Sequence, residues 1–246
     1  MKKCFVRLLS VLLTVALTLS LAGCSSSNTE VTAKGYPADE NTTWGELFEH
    51  FDKEGFDTLP VEIQEQLKAD LLSDDIWEEP DIQAVAPVYS ENTTEEEKKK
   101  AEEQLEQSVR SSSMEFFYNE NESPEDFSME DSTMLMFSLL AAPSLDEPVI
   151  EYMVSFASTN PCPAATIIVT LQDKETGNYL ACNSTSKLED HTNGSGKTYS
   201  IGGLTDVFVD LQTSHEYKVQ AIAIAVPPEG YLLTAPLYAG AELTAK

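Results

Sequence analysis

Cys162 and Cys182, in the second half of the chain, are the side chains best suited to covalent chemistry. A disulfide between them would close a loop of about 20 residues and stabilise the fold by roughly 3 kcal/mol on the chain-entropy model. The alternative is a pair of free buried thiols, because spacing alone does not fix the geometry of a disulfide. Cys162 stands between Pro161 and Pro163, which is typical of a rigid turn and not of a catalytic thiolate.

A third cysteine, Cys24, follows an N-terminus with the pattern of a signal peptide. Three basic residues come first, and Leu8 to Ala22 is then apolar apart from two serines and two threonines. A run of about fifteen residues is short for a bilayer span, which needs roughly 20, and fits the apolar region of a signal. We therefore predict a signal peptide over residues 1–23.

The end of this signal, Leu21-Ala22-Gly23-Cys24, resembles the lipobox of bacterial lipoproteins. The resemblance implies cleavage before Cys24 and acylation of its thiol by a diacylglycerol, with fatty chains such as palmitate. Two or more chains give stable membrane anchoring, whereas one chain binds only marginally. The protein is then expected at the cell membrane or outer envelope, facing away from the cytoplasm. An ordinary cleaved signal and an uncleaved anchor helix are the alternatives.

Other chemistry-bearing residues show no known catalytic pattern. The segment from Asp52 to Glu62 superficially resembles an EF-hand loop, but Asp57 stands where that loop needs glycine and Glu62 comes one residue early. We interpret it as an ordinary helix–loop–helix. The three histidines do not stand in pairs at metal-ligand spacing. We predict no catalytic residue, no metal site and no cofactor.

The charge of the chain excludes some classes of partner. The whole sequence has 15 basic and 42 acidic residues, and loss of the signal removes three basic ones, which leaves a net charge of −30. Nucleic acid and anionic membrane surfaces repel such a protein. We expect attachment to the membrane through the N-terminal lipid alone, with a surface protein or glycan as an unidentified ligand.

The first half of the mature chain predicts a tether followed by helices. Residues 24–37 are rich in Ser, Thr and Asn and are predicted to be flexible. Residues 38–144 are predicted to form an acidic, mostly helical module. Thr42 or Thr43 can cap a helix whose apolar stripe starts at Trp44, and Pro60 opens a second helix. Thr94-Glu95-Glu96-Glu97 indicates a capping box for a third helix, which is predicted to end near Arg110. Residues 133–142 favour a helix, with a strand as the competing interpretation.

Residues 145–246 show the period-two pattern of β-strands. Seven strand-like runs are separated by turn signals rich in Gly and Pro. They are Val149 to Phe156, Thr166 to Gln172, Tyr179 to Asn183, Lys197 to Ile201, Val207 to Leu211, Tyr217 to Val226 and Tyr231 to Leu243. The predicted fold class is α+β: a mostly helical N-terminal module followed by a seven-stranded antiparallel Ig-like β-sandwich.

Two extracellular families resemble this C-terminal part. Leu211 six residues before Tyr217 is similar to the fibronectin type III domain, which implies a tyrosine corner at Tyr217. The hairpin from Val169 to Gly177 and the exit Pro227-Pro228-Glu229-Gly230-Tyr231 resemble the collagen-adhesin B-type repeat, a transthyretin-like sandwich. The Trp of the first family's strand B and the isopeptide Lys and Asn of the second are missing. Both resemblances imply a spacer or binding module.

These patterns favour a lipid-anchored extracytoplasmic surface protein with a non-catalytic binding or presentation role. A structural subunit of an envelope assembly is the alternative, and a carbohydrate hydrolase with a β-sandwich accessory domain is less favoured. Trp44 and Trp77 are the only tryptophans. We expect both in the helical core, whereas exposure of either in a concave patch would indicate glycan or peptide binding.

Overall fold

The protein was analysed as a computed structural model, which describes residues 28–31, 35–72, 94–119, 133–233 and 235–246. Within these ranges the chain forms twelve strands and four helices. The strands are β1 (Asn28–Glu30), β2 (Tyr36–Pro37), β3 (Val109–Asn119), β4 (Thr133–Pro143), β5 (Ile150–Ser158), β6 (Ala164–Asp173), β7 (Asn178–Thr185), β8 (Leu188–Thr192), β9 (Thr198–Val209), β10 (Glu216–Val226), β11 (Tyr231–Leu233) and β12 (Leu237–Thr244). The helices are α1 (Trp44–Phe51), α2 (Lys53–Thr58), α3 (Val61–Ala69) and α4 (Glu95–Glu106).

The strands form two sheets that pack face to face. The first sheet has the order β1-β9-β5-β4-β3-β11, with β8 also paired to β9. The second sheet has the order β12-β10-β6-β7-β2. The β1–β9 pair is parallel, whereas the other described strand pairs are antiparallel. Because β1 and β2 lie on the same side of the sandwich, the N-terminal chain contributes an edge to each sheet.

The main core lies between the sheets and follows the alternation of each strand. On β6, Ile167, Val169 and Leu171 point into this core, and on β10 the small residues Ala221 and Ala223 do so. The intervening residues of both strands are also buried, because helices cover the other face of the second sheet. A strand covered on both faces reads as a continuous apolar run, which explains the sequence of β10.

Three short helices cover the second sheet. Trp44 and Phe48 of α1 and Ile63 of α3 pack against Ile222 and Ile224 of β10. Helix α1 begins with a capping box between Thr43 and Glu46, and Pro60 precedes α3. The predicted cap of α1 and the predicted start of α3 at Pro60 are confirmed, whereas α2 lies in the segment that was predicted to be a loop between two helices. Within the described ranges, the structure contains no helix long and apolar enough to span a membrane.

The predicted fold class is wrong, because residues 38–144 are not a mostly helical module. β3 and β4 lie in this range and belong to the first sheet, where β4 pairs with β3 on one side and with β5 on the other. The segment predicted as a helix at 133–142 is β4, whose Leu135 and Phe137 face the main core while Met134 and Met136 are buried on the other face. Because β4 carries apolar residues on both faces, its sequence also matches a helical period, and this accounts for the wrong prediction of a helix. Residues 95–106 are helical as predicted, but Arg110 already belongs to β3.

The C-terminal part differs from the seven predicted runs in its strand count. β5, β6, β7 and β10 correspond to predicted runs, and β8 was not predicted. Two predicted runs join into β9 across Gly202 and Gly203. The last run divides into β11 and β12. The sandwich therefore is not a seven-stranded domain appended to a helical one, since strands from both halves share the first sheet.

Candidate functional site

The N-terminal segment closest to the predicted lipidation site is held against both sheets. Cys24 itself lies outside the described residues. β1 pairs with β9 through Asn28↔Val207, Thr29↔Phe208 and Glu30↔Val209, and β2 pairs with β7. Val31 packs partly buried against the main core. We call residues 28–31 with β2 the N-terminal strap. The prediction of a flexible tether over 24–37 does not describe this part of the chain.

A buried polar group stabilises the same side of the sandwich. Asn183 of β7 donates from Nδ2 to Asp206 Oδ2 on β9 at 2.5 Å and to the Tyr152 hydroxyl on β5 at 3.1 Å. The other oxygen of Asp206 accepts the Val207 N–H at 2.8 Å. Tyr152 stacks on Phe208 with ring centroids 4.7 Å apart. Because the Asn183 side-chain amide bonds both Asp206 and Tyr152, this group links β7 of the second sheet to β9 and β5 of the first sheet near the edge where the strap attaches.

The structure does not bring Cys162 and Cys182 together, and both thiols are free. Cys162 is buried in the main core, whereas Cys182 packs on the helix-covered face of the second sheet. Burial raises the pKa of the Cys162 thiol to about 11, and burial also raises the pKa of Cys182. The Cys162 thiol donates to the Ala164 carbonyl at 3.2 Å. Both residues are therefore protonated, poorly reactive packing residues at neutral pH.

Asp52, in the acidic segment after α1, caps helix α2. Asp52 lies between α1 and α2, and its Oδ1 accepts the Gly55 N–H at 2.8 Å. Lys53 pairs with Glu49 at 2.6 Å and with Asp57 at 3.5 Å on the exposed surface. Among the described residues, no group of three or more His, Cys, Asp or Glu side chains is arranged to hold a metal ion. The carboxylates of this segment cap helices and pair with Lys53.

The histidines lie apart, each against a different neighbour. His50 contacts the Tyr36 ring with centroids 4.7 Å apart, which joins α1 to the strap. His191 stacks on Tyr199 at 5.8 Å. His215 Nδ1 lies 3.2 Å from Asp173 Oδ2.

Asp173 is almost fully buried, and its other oxygen accepts turn N–H groups of Glu175 and Thr176. This carboxylate consequently holds the β6–β7 turn in place.

The Tyr217 hydroxyl bonds back to the chain at Gln212, which is the arrangement that the resemblance to the fibronectin type III domain implied. Its hydroxyl accepts the Gln212 N–H at 2.8 Å, and the ring is fully buried beside Leu211. Burial raises the pKa of Tyr217. The hydrogen bond fixes the turn before β10, so this residue is structural.

A second tyrosine joins the helices to the second sheet. The Tyr238 hydroxyl of β12 donates to Asp70 Oδ2 at 2.5 Å, directly after α3. Burial raises the pKa of Asp70, and the hydrogen bond from Tyr238 opposes that rise. The pKa of Tyr238 is raised as well, because of burial and the nearby carboxylate. Sequence reasoning missed this pair, since 168 positions separate its members.

Sequence reasoning also missed an apolar cluster on the outer face of the first sheet. Met134, Met136 and Ala157 are buried there, with Phe116 partly buried against them. The β3–β11 end of the sheet also carries two exposed apolar side chains, Met114 at 39% and Leu232 at 44%. The alternating Met residues of β4 were the available signal, because period two places them on the face opposite Leu135 and Phe137.

Trp44 is buried at 1% exposure, as expected for the helical core, whereas Trp77 lies outside the described residues. The Trp44 indole N–H, the Gln66 side-chain oxygen and the Gln220 side-chain amide nitrogen have no hydrogen-bond partner in the described part of the chain. The Gln220 oxygen does accept the Tyr179 hydroxyl at 2.6 Å. Trp44 therefore does not contribute an exposed aromatic platform.

Comparison with known proteins adds little to this geometry. No family model matches the sequence, and no curated protein matches it. One solved structure, described as the X-ray structure of Northeast Structural Genomics Consortium target SoR45, is 12% identical and covers 57% of this chain and 88% of its own, with a TM-score of 0.20. A likeness of that size carries no argument about function. The resemblances to the fibronectin type III domain and the collagen-adhesin repeat stay predictions.

Proposed function

We propose that this protein is a lipid-anchored, extracytoplasmic surface protein with a non-catalytic binding or presentation role. The observation that carries the proposal is Leu21-Ala22-Gly23-Cys24 at the end of a basic and then apolar N-terminus. Cleavage before Cys24 and acylation of its thiol supply the two or more chains that stable anchoring needs.

The position of the strap supports the anchoring part. Because β1 is an edge strand of the first sheet, Asn28, the fourth residue after Cys24, lies at an edge of the body and not in its core. A lipid attached at Cys24 is therefore compatible with the packing of the sandwich.

The hydrogen bonds of three carboxylates, two of them buried and one half-buried, support the non-catalytic part of the proposal. Asp206 and Asp173 hold strands and a turn, and Asp70 joins the helices to β12. Each is engaged by protein donors in a different part of the fold. A general acid–base pair instead requires two carboxylates directed at one substrate position.

Metabolic labelling with an alkyne fatty acid tests the anchor. We expect label on the wild-type protein in the membrane fraction and none on Cys24→Ala. Cys162→Ala is the matched control, because it removes a thiol that the proposal does not use, and it should be labelled like the wild type. Equal labelling of Cys24→Ala would overturn the proposal, as would wild-type protein that is unlabelled and in the cytosol. Turnover of a glycan or peptide that is lost on changing a carboxylate would overturn the non-catalytic role.

A further inference from the structure

We propose that the sandwich stands close against the lipid bilayer, with the edge formed by the strap and the β7–β8 connection facing the headgroups and the β3–β11 edge pointing away. This inference rests on the proposed lipid at Cys24. It identifies the surface of the protein that meets the membrane and the surface that is presented to other molecules.

The strap sets the distance between lipid and body. Asn28 is the fourth residue after Cys24 and already pairs with Val207. Four residue steps span at most about 14 Å, whereas a free chain from Cys24 to the end of the predicted tether would span up to about 50 Å. Strand pairing at Asn28 therefore shortens the maximal reach from Cys24 more than threefold.

The register of β9 identifies the surface around the point of attachment. β5 pairs with one side of β9, and β1 and β8 share the other side, at residues 207–209 and 198–202 respectively. Since β1 runs parallel to β9, its N-terminal end points toward the β8 half of this edge. Lys187 lies there, next to the Leu188↔Gly202 pair. Five residues along a strand cover about 17 Å, so Lys187 and Asn28 belong to one side of the body.

The opposite edge carries the exposed apolar side chains. Five strand spacings separate β1 from β11 in the first sheet, which corresponds to about 24 Å. Leu232 on β11 and Met114 on β3 lie at this far edge, 44% and 39% exposed. The proposed orientation keeps both side chains away from the lipid and accessible to a partner.

Charge opposes adsorption of the body onto an anionic bilayer, so the short connection to the lipid, and not electrostatic attraction, keeps the body near the membrane. The mature chain has a net charge of −30, so anionic headgroups repel it. The Debye length of about 8 Å at physiological salt is shorter than the maximal reach of about 14 Å from Cys24 to Asn28. Electrostatic repulsion therefore acts mainly on the surface of the protein closest to the lipid. Lys187 is paired with Glu189 at 2.9 Å and adds little local attraction.

Distance measurements on the lipidated full chain test the orientation. The acylated protein is reconstituted in phosphatidylcholine vesicles that contain a minor fraction of phosphatidylglycerol and an acceptor-labelled headgroup lipid. A donor dye is attached at Lys187→Cys, where the side chain is 69% exposed, or at Leu232→Cys. Protein without an added cysteine corrects for labelling of the two native thiols, buried Cys162 and partly buried Cys182. We expect the closest approach to the lipid plane to be shorter at Lys187→Cys by about 24 Å, the width of five strand spacings.

A chain with an insertion serves as the matched control. About ten Gly and Ser residues placed between Ser27 and Asn28 add an average reach of about 17 Å. They should increase the distance at Lys187→Cys and reduce the difference between the two probes. An acylated protein with equal distances at both probes, or with Leu232→Cys closer, would overturn the orientation and leave the anchor intact. An N-terminal mass without acylation would overturn the anchor and the orientation together.

Discussion

Removal of one hydroxyl group, in Tyr238→Phe, tests how the helices are attached to the second sheet. The hydroxyl donates to Asp70 at 2.5 Å, and phenylalanine keeps the ring and its packing. A hydrogen bond to a charged group contributes about 1.5–3 kcal/mol net. For a protein of this size, about 2 kcal/mol corresponds to a fall of roughly 4–8 °C in the unfolding midpoint.

The pH dependence of this effect has a defined sign. Burial raises the pKa of Asp70 above its usual 3.8, and the Tyr238 hydroxyl opposes the rise. A carboxyl whose pKa is raised in the folded state stabilises the protein below its unfolded pKa and loses that contribution as the pH rises through the folded pKa. Tyr238→Phe raises the folded pKa further. The stability difference between wild type and variant should therefore be largest at neutral pH and shrink as the pH falls toward the unfolded pKa.

Urea unfolding of the mature protein at several pH values measures both effects. Tyr231→Phe is the matched control, because this half-buried hydroxyl makes no hydrogen bond in the part of the chain that is described. We expect that control to stay within about 0.5 kcal/mol of wild type. If Tyr238→Phe is equally silent, or if its effect grows toward acid pH, the reasoning about the Asp70–Tyr238 pair is refuted.

Two substitutions and one reactivity measurement test other parts of the fold. Tyr217→Phe leaves the Gln212 N–H without its acceptor and should destabilise the protein by about 1–3 kcal/mol in urea unfolding; no change would show that the corner contributes nothing. Cys162, with a pKa of about 11, and Cys182, with a raised pKa, should resist a disulfide reagent at pH 8 in the folded protein and react after unfolding; rapid reaction of both in the folded state would contradict their burial. Thr43→Ala removes the cap of α1 and should cost about 1 kcal/mol, measured by the same unfolding assay; an unchanged midpoint would contradict that role.

Sequence patterns predicted the local features of the fold better than its assembly. The cap of α1 and the proline before α3 depend on residues within a few positions of one another. Such short-range interactions are encoded in spacing alone. The position of β3 and β4 in the first sheet depends on pairing with β5 and with each other, which local patterns do not specify.

Two predictions, one based on glycine residues and one on polar composition, were wrong for physical reasons. Gly202 and Gly203 were interpreted as a turn, but both lie within β9. A Cβ at Gly202 would come within 2.7 Å of the Leu188 side chain, so this glycine permits the close approach of β8. The polar residues Asn28–Glu30 were interpreted as part of a tether, but an edge strand needs only backbone hydrogen bonds and tolerates polar side chains.

The difference between local and long-range interactions also decided which candidate sites could be predicted from the sequence. The spacing around Cys24 is a local signal and stands as the basis of the proposed anchor. The Asn183–Asp206–Tyr152 group and the Asp70–Tyr238 pair join residues that are distant in sequence, so composition could not reveal them. The proposed disulfide required proximity of Cys162 and Cys182, and the second sheet instead separates them.

The mass of the N-terminal peptide of protein recovered from the envelope is the most direct measurement of the central claim. The account predicts that the peptide begins at Cys24 and carries a diacylglycerol on its thiol. A peptide that begins at Met1, or at any residue other than Cys24, with no lipid attached would contradict it.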